Sequence, residues 1–146
     1  MNNDVNKLIC IATPLRDLET PKEGWVRAYR RKLSMTGRHL AERLGLSKQR
    51  VAYIERQELE SSLTLKTMQQ VAGAMDAEFV YAIVPKTSIE ETLDVQAEKH
   101  LYKRFNQVSH SMDLEGQGLS AENKANLLKE AKAEYLSKSP KKIWDS

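Results

Sequence analysis

Ser47, Lys48, Gln49 and Arg50 are consecutive, Tyr53 follows three residues later, and Arg38 stands nine residues before Ser47. Gln and Arg are the side chains that hold a base edge through two parallel hydrogen bonds, each pair contributing about 1–3 kcal/mol of discrimination. Lys and Arg also bind phosphates, which positions a protein on a duplex without reading its sequence. Gln49 and Arg50 therefore suit base edges, and Lys48, Arg38 and Arg30 suit phosphates. Tyr53 lies further along the same face. This chemistry fits a DNA groove, provided the chain presents these residues on one exposed helix.

The surrounding string, Thr36 to Glu55 (TGRHLAERLGLSKQRVAYIE), predicts that arrangement. Thr36 is placed to cap a first helix, whose apolar face is Leu40, Ala41 and Leu44. Gly45 supplies a left-handed C-cap that lets the chain turn. Ser47 caps a second helix, and Val51 and Ile54 turn inward at helical spacing. Lys48, Gln49, Arg50, Tyr53 and Arg56 are then left outside, where a major groove can accept them.

Charge supports this placement. Between Arg27 and Arg56 there are nine Lys or Arg and two acids, whereas from Thr87 onward nine basic residues face ten acids. The positive field is concentrated on the candidate reading unit, although the whole chain carries only +3. Without the helix-turn-helix spacing, a solvated charged face would be the preferred reading of such an excess, and a helical bundle that kept the fold and lost DNA is the alternative that remains with it.

At 146 residues the chain has room for one compact domain and an appendage. The single Cys10 excludes an internal disulfide, and the start MNNDVNK lacks the basic-then-apolar pattern of a signal peptide. No segment approaches the roughly 18 apolar residues of a membrane span. A cytoplasmic protein is expected, with Cys10 as a small core residue. His39, His100 and His110 lack ligand spacing and read as surface or structural residues. No cofactor, metal or enzyme activity is expected: no Ser-His-Asp, Cys-His or phosphate-loop pattern is present.

Along the chain, residues 4–18 predict an amphipathic helix limited by Pro14, followed by a linker, so 1–23 reads as an N-terminal helix and linker. Residues 24–86 read as the DNA-binding domain. Trp25, Val26, Tyr29 and Leu33 recur at helical spacing, and a loop is expected at 57–63. Thr64 caps a helix with Leu65, Met68, Val71, Ala72 and Met75 inward. Residues 78–84, EFVYAIV, predict a short strand stopped by Pro85. A lone strand is unstable, so its partner is either the same strand of a second chain or an irregular segment of its own. Residues 87–146 predict two further helices, the first capped by Thr87 or Ser88 and carrying apolar residues to Phe105. The second starts at Ser120, and the tail KSPKKIWDS reads as mobile. The fold class is mainly α, a helix-turn-helix domain with one short strand and a C-terminal helical extension.

The spacing T-x-x-x-L-A-x-x-L-G-x-S-x-x-x-V-x-x-I-E resembles the lambda-repressor-like, or Xre, helix-turn-helix family over roughly Gly24 to Asp76. The resemblance implies that the second helix lies in the major groove and that Ser47, Lys48, Gln49, Arg50 and Tyr53 are its contact residues. That family often has a Gln directly after the Thr, supporting a phosphate contact. Here Gly37 stands there, leaving Arg38 or His39 to replace it. Glu55 matches an acidic position that is usually structural.

A second string, Ser111 to Gly116 (SMDLEG), places Ser and Glu four apart on one helical face with Gly at the exit. Ser-x-x-x-Glu-Gly resembles the inhibitory motif of antitoxins against Fic-domain AMP-transferases. By that resemblance Glu115 obstructs the partner's ATP site by pairing with an Arg, Ser111 helps hold the helix and Gly116 permits a close exit. The chain also resembles the mobile mystery protein A family, helix-turn-helix proteins paired with a Fic-domain partner, through GWVRAYRRKLSMTGRHLAERLG, the TLKT and YAIVPKTSIEE stretches, and LEG. The implied protein is an autorepressing antitoxin that binds operator DNA as a homodimer, or within a toxin–antitoxin hetero-oligomer, and inhibits a Fic-domain toxin. The rival is a repressor whose C-terminal helices only dimerise.

Overall fold

Oxygen-bearing side chains start four helices in the first half of the chain. Asp4 accepts from the Asn6 N–H, Thr36 from His39, Ser47 from Arg50 and Thr64 from Thr67. Each satisfies a backbone donor that has no partner within its helix. The helices are α1 (Val5–Ala12), α3 (Gly37–Leu44), α4 (Lys48–Leu59) and α5 (Leu65–Ala74), with α2 (Trp25–Lys32) between the first two. The computed structural model describes residues 4–114 and 121–145. It divides into two units, Met1–Val84 and Pro85–Ser146.

In the first unit Gly45 adopts φ 67°, ψ 31°, the left-handed cap that the α3–α4 turn requires. The core is Val26, Leu40, Ala41, Val51, Ile54, Val71 and Met75, surrounded by Met35, Leu44, Leu63, Met68 and Ala74. Thus α2 to α5 each contribute the stripe that their spacing predicts. Pro14, which has no N–H to continue the ladder, turns α1 into a 3-10 helix over Thr13–Asp17.

Two expectations for this unit are corrected. Cys10 is exposed, because α1 buries none of its residues. Residues 78–84 form no strand, and none exists among the described residues. Val80, Tyr81 and Ile83 are 72%, 63% and 92% exposed, and no backbone hydrogen bond joins 78–84 to another described segment. The β-rich composition is real, but the ladder needs a neighbour, and no described segment of the chain pairs with it.

In the second unit Ser88 accepts from the Glu91 N–H at 3.0 Å, opening α6 (Ile89–Leu114) with Glu90 and Glu91 in its first turn. This helix continues beyond Phe105 and through Ser111. α7 (Ala121–Lys138) follows, then a 3-10 helix over Pro140–Trp144. That last element corrects the expected mobile tail. Ile143 is fully buried with Ala97 and Leu101, and the Gln96 side-chain amide donates to the Ile143 carbonyl at 2.8 Å. No helix among the described residues is long and apolar enough to cross a membrane.

Candidate nucleic-acid interface

Helix α4 is held by its inner face. Val51 and Ile54 are 1% and 4% exposed, which turns Lys48, Gln49, Arg50 and Tyr53 to the surface. Ser47 fixes the start of the helix, its Oγ accepting from the Arg50 N–H at 3.1 Å. Tyr53 is flanked by two guanidinium groups, with the Arg50 and Arg56 carbons 4.9 Å and 5.7 Å from its ring centroid. Such contacts contribute about 0.5–1 kcal/mol each at exposed sites. They narrow the range of Arg50 conformations before any duplex arrives. The signal for Arg56 was its position three residues after Tyr53, where helical neighbours meet.

Carboxylates on the other half of α4 clamp it to α2. Glu55 Oε1 lies 2.7 Å from Arg30 Nε, and each side chain is only 12% exposed. Arg30 also donates to the Met35 carbonyl at 2.9 Å. Arg30 is thereby committed to the fold, which removes the expected phosphate-anchoring role and gives Glu55 its structural one. Glu58 accepts from the Trp25 and Val26 N–H groups at 2.6 Å and 2.9 Å. It caps α2 from a distance, with a negative charge at the positive end of that helix. Gly24 allows this approach: its φ is 86°, and a Cβ there would meet the carboxylate at 3.0 Å. Glu58 was missed because residues 57–63 read as loop, whereas α4 extends to Leu59.

At the start of α3, His39 and Thr36 cap each other. The His39 N–H donates to Thr36 Oγ1 at 3.1 Å, and the Thr36 N–H donates to His39 Nδ1 at 3.0 Å. A backbone N–H can only donate, so Nδ1 carries the lone pair and the neutral ring holds its proton on Nε2. Of the two residues expected to replace the missing Gln, His39 is thus occupied as a cap. Arg38 is exposed, 3.7 Å from the Glu42 carboxylate one turn on. A Cβ on Gly37 would meet nothing within 4 Å. Arg43 ties α3 to the end of α5 by donating to the Ala74 carbonyl at 2.9 Å.

The arrangement is a capped helix with a polar, cationic first turn exposed and an acidic second half spent on anchoring. It can read base edges and hold phosphates. Elsewhere, Ser111 lies in the last turn of α6, while Glu115 and Gly116 lie outside the described residues. No cluster of His, Cys, Asp and Glu that could hold a metal occurs among the described residues.

Residues 26–81 match the family model for the helix-turn-helix, HTH_3, which spans α2 to α5 and the start of the 78–84 segment. This part of the chain is a DNA-binding helix-turn-helix of the transcription-regulator kind. No curated protein and no solved structure matches the chain.

Proposed function

We propose that this DNA-binding regulator is an antitoxin, which represses its own operator and inhibits a partner Fic-domain AMP-transferase through Glu115. The reading rests on one observation: the Ser111–Glu115–Gly116 string begins in the last turn of a 26-residue helix, in a chain whose other unit carries a helix-turn-helix domain. Glu115 pairs with the Arg of the partner that would otherwise hold the ATP γ-phosphate, Ser111 supports the helix and Gly116 lets the chain leave. The antitoxin performs no catalysis itself, needs no cofactor and acts in the cytoplasm.

On the DNA side, Gln49 and Arg50 read bases, Lys48 and Arg38 hold phosphates, and Ser47 and Tyr53 set the helix and its arginine. The protein acts as a homodimer on a pseudo-palindromic site. The exposed 78–84 segment supports this, since the same segment of a second copy offers the missing hydrogen-bonding neighbour. The two functions separate by mutation. Glu115→Gly releases AMP transfer by a co-purified Fic protein while operator binding stays at the parent's level. Equal, low AMP transfer in both complexes would reduce the protein to a repressor. Arg50→Ala lowers discrimination between operator and random duplex by about tenfold or more, from the loss of one bidentate pair. Unchanged discrimination in fluorescence anisotropy would remove Arg50 as a reading residue.

A further inference from the structure

The second unit carries a cationic cleft of about 570 Å³ between α6 and the 3-10 helix at its end. Lys99, Lys103, Arg104 and Lys142 line it, with Asp145 as its one acidic residue. Their concentration is not a property of the segment, because from Thr87 onward acids outnumber bases by one. Lys99 and Lys103 sit four apart on α6, where like charges cost a helix about 0.2–0.5 kcal/mol. Apart from Asp145, no described acid lines the cleft with them. Glu98, the adjacent carboxylate, lies 3.3 Å from Lys132 instead. Among the described residues Lys99, Lys103 and Lys142 form no ion pair. Arg104 is oriented by donating to the Tyr135 hydroxyl, which engages one of its five N–H groups and leaves the rest for a ligand. The wall opposite α6 is fixed by the Gln96–Ile143 hydrogen bond and by buried Ile143.

We infer that this cleft is a second phosphate-binding surface, which takes the DNA backbone without reading sequence. The inference rests on the DNA-binding reading of the first unit, and that unit supplies the reason the ligand is a duplex. Once α4 is on DNA, the second unit is tethered through residues 78–87 to a protein already on a polyphosphate. A short tether raises the local concentration of a ligand to about millimolar. A cleft of exposed lysines, too weak to capture a phosphate alone, is filled under those conditions.

The test measures duplex affinity of the full-length protein against salt concentration. The triple variant Lys99→Gln, Lys103→Gln, Lys142→Gln keeps side-chain length and helix propensity, and circular dichroism confirms its fold. Each lost phosphate contact lowers the slope of log K against log salt by about 0.9, so the triple variant has a slope shallower by about two to three. Its ratio of operator to random affinity equals the parent's. A control with the same charge change away from the cleft, Lys124→Gln, Lys129→Gln, Lys138→Gln, keeps the parent's slope. An unchanged slope in the cleft variant overturns the inference, as does an equal fall in the control. So does loss of an acidic protein partner with DNA binding intact. Failure of the parent itself to bind duplex would instead refute the reading on which the cleft depends.

Discussion

The two units hold themselves together in opposite ways. In the first, short helices meet around seven buried apolar residues, and charged side chains bridge one helix to another: Arg30 to Glu55, Glu58 to the start of α2, Arg43 to the end of α5. In the second, two long helices and a 3-10 turn bury only Ala97, Leu101 and Ile143 among the described residues. Much of its polar bonding lies at the surface, as between Lys132 and Glu98 or Lys138 and Glu134. A core of seven supports a domain that meets DNA already formed.

The difference is open to attack by mutation. The largest effect is expected in the two cores. Leu40→Ala removes a fully buried side chain from the seven-residue cluster and lowers stability by about 3 kcal/mol, within the usual range for Leu truncation. Operator binding falls with it. Ile143→Ala loosens the second unit by about 2–3 kcal/mol yet leaves operator discrimination intact. Denaturant titration of each variant, paired with anisotropy on DNA, checks both; a matching loss of discrimination in Ile143→Ala would show that the units do not act separately.

Next comes the clamp. Glu55→Gln leaves Arg30 as a nearly buried cation with its charge uncompensated, at a cost of about 2 kcal/mol. The double change Arg30→Met, Glu55→Leu removes both charges and recovers much of that loss. Failure of the double variant to recover would mean that the pair stabilises through packing rather than charge balance.

The smallest effect is at Gly37. Its backbone has no positive φ and its missing Cβ faces open space, so Gly37→Ala stabilises the protein by about 0.5–1 kcal/mol. Gly37→Gln keeps that gain and adds an exposed amide donor at the start of α3, suited to a phosphate. Tighter binding to random and operator duplex alike, by equal factors, is the expected result; a change in discrimination would place residue 37 against a base.

Local chemistry explains which of these features were legible in the sequence. Thr36, Gly45, Ser47 and Thr64 act on the two or three residues beside them, so their caps follow from spacing alone, as do the inward positions of Leu40, Val51, Ile54 and Val71. Partners far apart in the chain are different. Nothing near Glu58 indicates that it caps a helix starting at Trp25, and nothing near Arg30 separates an ion pair from a phosphate anchor. Cys10 lies in an apolar run, which predicts burial only if another surface covers the run. Ile143 is one apolar residue in a charged tail, too little for periodicity to detect, and only the packing of α6 and α7 gives it a site. At 78–84 the composition describes a strand correctly in kind, but a ladder is a property of two segments.

The division of labour along α4 has a consequence for descent. Positions 51, 54, 55 and 58 serve the fold, while 48, 49, 50 and 53 face outward, so the two sets can vary under separate selection. On the proposed reading of α4, a duplicated copy of this protein could acquire a new operator by changes in the first turn of that helix alone, never passing through an unfolded ancestor. Lineages that diverge in this way would keep the acidic end of the helix and rewrite its basic end.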